Sequence, residues 1–197
     1  RERRFAADAS HELRSPLAAA RLGLEVAVAH PDRTDWNEVA SDTLAELDRL
    51  EALARDLLDL TRLDATRTVA ASRPVDLAQL LRNELDLRSQ RPPELRYGGT
   101  VEAVTVRGVP ELLLRALRNA LDNAERHAIN AVDASLRQVD DSAEVTVSND
   151  GAAIAPGDRD RVFQPFVRLD ESRSVDSGGT GLGLAIVADI LRAHGGS

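Results

Sequence analysis

No cysteine occurs among the 197 residues, which excludes disulfides, thiolate nucleophiles and zinc–thiolate sites and fits a reducing compartment. Aromatic residues make up only 3% of the chain. The 43% that is hydrophobic is carried mostly by Ala, Leu and Val, which favours helices packed through aliphatic stripes over an aromatic-rich β-sandwich. No apolar run approaches the ~20 residues that cross a bilayer, and no signal-peptide pattern opens the chain. These residues are therefore expected to make no membrane contact. Lysine is absent too: all 25 cationic side chains are Arg, set against 33 Asp and Glu for a net charge of -8. That acidic balance argues against nucleic acid as a ligand, because phosphate backbones are bound by basic faces.

What is present has the length of one large domain or two small ones. Phe5, Leu13, Leu17, Ala20, Leu24 and Ala27 recur mostly at three- and four-residue steps, the stripe of an amphipathic helix. His30-Pro31-Asp32 breaks it. A second helix is predicted from about Asp35 to Leu63-Asp64, with Val39, Leu47, Leu50, Leu57 and Leu60 near heptad spacing. The resulting antiparallel hairpin covers only half of its own stripe, and pairing with a second copy into a four-helix bundle would cover the rest. Residues 66–74 are polar and read as a linker. Beyond them helices alternate with strands: a helix Leu77–Ser89, turns at Pro92-Pro93 and Gly98-Gly99, a strand Val101–Val106, and a helix Pro110–His127. Strands Ala131–Leu136 and Glu144–Ser148 follow, then a polar loop and a last helix from near Gly181. The expected fold is α+β: a helical hairpin over 1–65 followed by an α/β sandwich over 75–197.

His11 lies two positions before Leu13, about 200° around a helix, so it points away from the apolar stripe. A lone surface His is ordinarily just a solvated polar residue, but its neighbours here are suggestive. Glu12 is placed to take the proton of one imidazole nitrogen and leave the other as a nucleophile. Ser15 stands one turn along the same face. Pro16 inside a helix costs about 3 kcal/mol in an ordinary setting, and reads either as a tolerated kink or as a bend that mobilises the His face. The run Phe5-Ala-Ala-Asp-Ala-Ser-His11-Glu12-Leu13-Arg14-Ser15-Pro16 resembles the dimerisation and phosphotransfer hairpin of the histidine kinases, whose hallmark is His-Glu-Leu-Arg-Thr-Pro. The resemblance implies that His11 is phosphorylated and Glu12 is the adjacent acid/base. Ser15 departs from the family's Thr or Asn; it keeps a hydroxyl but not the β-branched stiffness, which puts phosphatase strength in doubt.

Further segments read as parts of a nucleotide pocket. Asn119 and Asn123 are one helical turn apart; they are either two solvated amides or a source of hard oxygen for Mg²⁺. Val145, Val147 and Asn149 share one strand face, and Asn149-Asp150-Gly151 is also a turn signal. Gly178-Gly179-Thr180-Gly181-Leu182-Gly183 opens a helix whose free N–H groups suit phosphate, although no strand of a dinucleotide-binding unit precedes it. In this order the segments resemble the N, G1, F and G2 boxes of the histidine kinase ATP-binding domain. The resemblance implies ATP and Mg²⁺ as cofactors. It implies Asn123 as metal ligand, Asn119 beside the triphosphate with a catalytic part, and Arg126 near phosphate. It likewise implies Asn149 and Gly151 at the adenine end, and Phe163 and Phe166 as lid anchors. Arg168 and Arg173 would be lid cations, and Gly179, Thr180, Gly181, Leu182 and Gly183 would line the phosphates. Asn149 stands where the family has Asp, and Ala153 where it has Gly, which predicts weaker base discrimination rather than loss of ATP binding.

Two rivals stay open. An ATP hydrolase of the same superfamily typically carries a Glu one turn before the Mg²⁺-binding Asn; here that position is Asn119, which cannot act as a base. A degenerate dimeric scaffold that only docks a response regulator is the other. By resemblance the partners are a second copy and a response regulator, recognised around Arg21, Leu22, Val26 and His30. The intact protein would be anchored in the inner or plasma membrane with these residues on the cytoplasmic side. The family domain normally continues into a final strand pair beyond Ser197, which these residues would lack.

Overall fold

In the computed structural model, residues 2–62, 71–90, 95–169 and 179–197 are described. The chain divides into two compact units, residues 1–61 with 165–182, and residues 62–164 with 183–197.

In the first unit, α1 spans Glu2–Ala29 and α2 spans Trp36–Arg62, joined by a 3₁₀ turn at Pro31–Arg33. Asp35 caps α2, its carboxylate accepting the backbone N–H groups of Asn37 and Glu38 at 2.9 and 3.3 Å. The predicted end of α2 at Leu63-Asp64 lies outside the described residues. The side chains buried in this hairpin include Ala9, Pro16, Ala20, Ala27 and Leu53. Leu17, Leu24 and Leu47 of the predicted stripes remain 57%, 42% and 48% exposed. A single hairpin thus leaves half of its apolar seam uncovered, as its patterning predicts. None of the described helices is long and apolar enough to cross a membrane.

The second unit starts with β1 (Arg73–Asp76) and α3 (Leu77–Ser89), and Asp76 caps that helix by accepting from the Gln79 N–H at 2.8 Å. Next come β2 (Arg96–Gly98), β3 (Thr105–Gly108) and α4 (Pro110–His127). β4 (Ala131–Val139), β5 (Ser142–Asn149) and α5 (Gly183–Ala193) complete it. One sheet runs β2-β4-β5, with β2 parallel and β5 antiparallel to β4; β1 and β3 form a separate antiparallel pair. Apolar residues of α3 and α4, among them Leu81, Leu117 and Leu121, bury against Val132, Ala134 and Leu136 of β4. This is the expected α/β sandwich.

Three details differ from the sequence expectation. Arg73 and Pro74, read as linker, belong to β1; a Pro fits there because the strand pairs on one side only. The strand predicted at Val101–Val106 starts at Thr105 instead, and Val101 makes only an isolated bridge to Leu136. Gly98, read as a turn, closes β2, whose Tyr97 hydroxyl donates to Glu125 on α4 at 2.7 Å. A turn signal was outweighed there by a long-range anchor.

The element that joins α3 to α4 is ionic. Arg88 is 4% exposed, yet its guanidinium lies 2.6 Å from both Asp122 and Glu125 and 3.8 Å from Glu84. Burial disfavours its charge, but the Glu125 and Asp122 carboxylates outweigh that and raise its pKa. The buried Glu84 also receives two bonds from Arg118, at 2.9 and 2.8 Å. At the far end of α4, His194 accepts the Val109 N–H at Nε2 (3.1 Å) and donates from Nδ1 to the Ile190 carbonyl (2.8 Å). Those partners require the neutral Nδ1–H tautomer, which ties the end of α5 to the start of α4.

Removing a partner from a buried ionic network strands its charges. Arg88→Ala should cost about 3 kcal/mol in urea unfolding. Arg137→Ala breaks a two-bond pair to Glu144 that is 62% and 44% exposed and should cost under about 1 kcal/mol.

Candidate phosphoacceptor and nucleotide site

In the first unit α1 runs unbroken through Pro16, which is almost fully buried. Having no N–H, Pro16 leaves the Glu12 carbonyl without its helical donor, directly beside His11. His11 and Ser15 are exposed and Glu12 is half-buried. His11, Glu12 and Asp8 line one side of an open cleft of about 440 Å³, and Pro165, Phe166 and Val167 line the other. The fold thus brings the predicted nucleophile, its neighbouring acid and one predicted lid aromatic together.

Phe166 sits at φ 64°, a left-handed conformation that costs a non-glycine residue about 1–3 kcal/mol unless its surroundings impose it. Its N–H donates to the Gly181 carbonyl at 2.9 Å, and Gly181 itself lies at φ 68°, where a Cβ would come within 3.0 Å of Phe166 Cα. Only glycine combines that dihedral with that approach. The next residues are held as well. The Thr180 hydroxyl accepts the Leu182 N–H at 3.2 Å and donates to the Asp56 carboxylate of α2 at 3.0 Å. Gly179 and Leu182 are buried. Arg168 is exposed, and Arg173 lies outside the described residues.

The other predicted residues lie in the second unit. Asn119 and Asn123 are half-buried on α4, one turn apart, while Leu113, Leu117, Leu121 and Ala124 occupy its core face. Nδ2 of Asn119 is buried with no hydrogen-bond partner among the described residues. A donor in that state suits an incoming oxygen acceptor such as phosphate. The predicted last helix begins at Gly183, two residues later than expected, and a Cβ there would lie 3.5 Å from Asn119 Oδ1. Arg126 is exposed, and Phe163 is 46% exposed at the end of a 3₁₀ turn.

On β5 the predicted alternation appears: Val145, Val147 and Asn149 are half-buried and the residues between them exposed. Asn149 lines an open cleft of about 400 Å³ with Tyr97, Val132 and Asp133. Its Oδ1 accepts the Gly151 N–H at 2.9 Å, so a ligand there meets the amide NH₂ and a second lone pair. A Cβ on Gly151 would fall 1.8 Å from the His127 carbonyl, so the turn after β5 closes on the end of α4. Asp150 points the other way. Its carboxylate accepts the backbone N–H groups of Ile129, Asn130 and Ala131 at 2.8, 3.0 and 3.1 Å. Those bonds, Asn130 foremost, hold its pKa at about 2, below the usual 3.8. Asp56, Arg88 and His194 are supports that sequence reasoning missed, as is the backbone that Asp150 gathers. Only Asp150 carried a local signal, its place in Asn-Asp-Gly.

A depressed carboxylate contributes stability in full above its unfolded pKa and loses it as pH falls through the folded one. Asp150→Asn should therefore lower the urea midpoint at neutral pH. The gap to the parent should close as pH drops from about 3.8 toward 2.

Residues 1–66 match the family described as His Kinase A (phospho-acceptor) domain, and residues 108–197 that described as Histidine kinase-, DNA gyrase B-, and HSP90-like ATPase. The signal transduction histidine-protein kinase/phosphatase MprB of Mycobacterium ulcerans is 36% identical over the whole of this chain. The chain spans only 40% of that relative's length. A solved structure of mycobacterial sensor histidine kinase MprB superposes with TM-score 0.56 at 32% identity, over 64% of this chain and 82% of that one. The Acinetobacter baumannii histidine kinase AdeS shares the fold over 93% of this chain and 86% of its own, with TM-score 0.74 at 21% identity.

Proposed function

The chain belongs to the sensor histidine kinases, and from that premise we propose that it transfers the γ-phosphoryl group of ATP to His11 and then to an aspartate of a response regulator. Residues 1–65 serve as the dimerisation and phosphotransfer domain, and the ATP-binding domain starts with β1 at Arg73, so the linker expected over 66–74 ends before that strand. The observation that carries the reading is the exposed His11 beside half-buried Glu12 in an open cleft whose other side is lined by Phe166.

An unprotonated His11 nitrogen attacks the γ-phosphorus; the P–N bond forms as the bond to ADP breaks, and the proton on the other nitrogen passes to Glu12. The Asn119 amide, with its unpaired buried donor, binds a phosphate oxygen and helps orient the triphosphate. Asn123 would hold Mg²⁺ through its amide oxygen, and the ion would supply positive charge to offset that of the phosphates. Among the described residues no three His, Cys, Asp or Glu are gathered to hold a metal, so phosphate and water would complete its shell. Asn149 and Gly151 take the adenine end, and Gly179, Thr180, Gly181, Leu182 and Gly183 the phosphates. Phe163 and Phe166 anchor the lid, and Arg126, Arg168 and Arg173 supply cations.

The uncovered leucines of the hairpin accept a second copy, which supports a homodimer. The response regulator docks on the exposed face below His11, around Arg21, Leu22, Val26 and His30. Ser15, exposed one turn from His11, gives phosphatase activity weaker than a Thr would. The full-length protein is membrane-anchored with this portion on the cytoplasmic side. Neither rival reading, the ATP hydrolase or the non-catalytic scaffold, gains support from the relatives.

Incubation with γ-labelled ATP and Mg²⁺ tests the assignment. The chain should acquire acid-labile, base-stable label that is absent from His11→Ala and reduced at least about 100-fold in Asn123→Ala, the scale of losing a positioning or electrostatic group. Equal labelling of His11→Ala, or ATP hydrolysis outpacing labelling, would refute it.

A further inference from the structure

Resting on the reading of Thr180 as a phosphate-lining residue, we infer that Asp56 of α2 is a competitive latch: its carboxylate holds the Thr180 hydroxyl that a bound phosphate would need. The two residues are 124 positions apart in sequence, yet the hydroxyl donates to Asp56 Oδ2 at 3.0 Å. A threonine hydroxyl has one proton. While that proton is committed to Asp56 it cannot be donated to a phosphate oxygen, and the carboxylate's charge opposes a polyanion at the same spot.

The latch holds more than one side chain. The same hydroxyl oxygen accepts the Leu182 N–H at 3.2 Å, so Asp56 fixes the turn that leads into α5. That turn carries Gly181, whose carbonyl accepts the Phe166 N–H at 2.9 Å. Phe166 in turn lines the open cleft opposite His11 and Glu12. One carboxylate on the hairpin therefore ties the glycine segment, the left-handed Phe166 and one wall of the His11 cleft into a single arrangement. Nucleotide binding and latch closure are then linked: each weakens the other by the same factor. A movement of α2 that withdraws Asp56 would raise nucleotide affinity, which gives the hairpin a route to control the kinase reaction.

The test is the affinity of the non-hydrolysable analogue adenylyl imidodiphosphate with Mg²⁺, measured by titration calorimetry on the chain and its variants. Asp56→Ala should bind about fivefold more tightly than the parent, at the low end of allosteric coupling, and Asp56→Asn should show a smaller gain because its amide oxygen still accepts. The gain should shrink when Asp56→Ala is placed in a Thr180→Val background, to the part that charge alone contributes. Unchanged or weaker binding by Asp56→Ala overturns the latch. So does an equal gain in the Thr180→Val background, which would assign the effect to charge alone. If neither parent nor any variant binds the analogue, the nucleotide reading itself falls, and the latch with it.

Discussion

A single buried guanidinium fixes α3 against α4, the helix that carries Asn119 and Asn123. Arg88 projects from α3 into contact with Asp122 and Glu125 of α4, and it shares the buried Glu84 with Arg118. Asp122 and Glu125 flank Asn123 in sequence. Unpaired, their charges would repel any polyanion approaching α4. Paired with Arg88, they become a scaffold that fixes the helix, and one of their two charges is neutralised. The cost is the desolvation of an arginine, and the two close carboxylates offset it.

Other contacts aim α4 at both of its ends. His194 clamps its start through Val109, and the turn after β5 closes against the carbonyl of His127 at its last residue. Asp150 gathers the backbone between α4 and β4 with a carboxylate that stays ionised over nearly the whole pH range. Asn119, Asn123 and Asn149 consequently sit on a frame made by charged and polar contacts, while the leucines and valines of β4 and α4 supply bulk burial. The apolar core decides that the sandwich forms; the polar frame decides where its amides stand.

The helical unit works differently. Its α1 and α2 pack through small residues, with Ala9, Ala20, Ala27 and Leu53 inside, and leave larger leucines uncovered. Pro16 interrupts the hydrogen-bond ladder beside His11 and leaves the Glu12 carbonyl without its helical donor, so the helix is locally weaker there. Phe166 is kept in a left-handed conformation by Gly181, so one wall of the cleft is a strained element held by its surroundings.

Much of this was legible in the sequence. Helix periodicity, Asp35 and Pro110 are local signals, and they place the start of α2 within a residue and α3 and α4 at their observed bounds. Alternation along β5 turned Asn149 inward and Asp150 outward, and the segment around His11 pointed to a phosphoacceptor before any coordinates. The short strands β1 and β2 escaped, since Pro74 and Gly98 read as breakers and only pairing with distant β3 and β4 makes them strands. The sequence by itself determined the chemistry at hand: an imidazole beside a carboxylate, two amides a turn apart, and a glycine-rich helix start. Only the tertiary structure decided what restrains that chemistry. Arg88 meeting Asp122, and Asp56 meeting Thr180, are contacts between residues 34 and 124 positions apart, and no local pattern can announce a partner that the fold alone brings near.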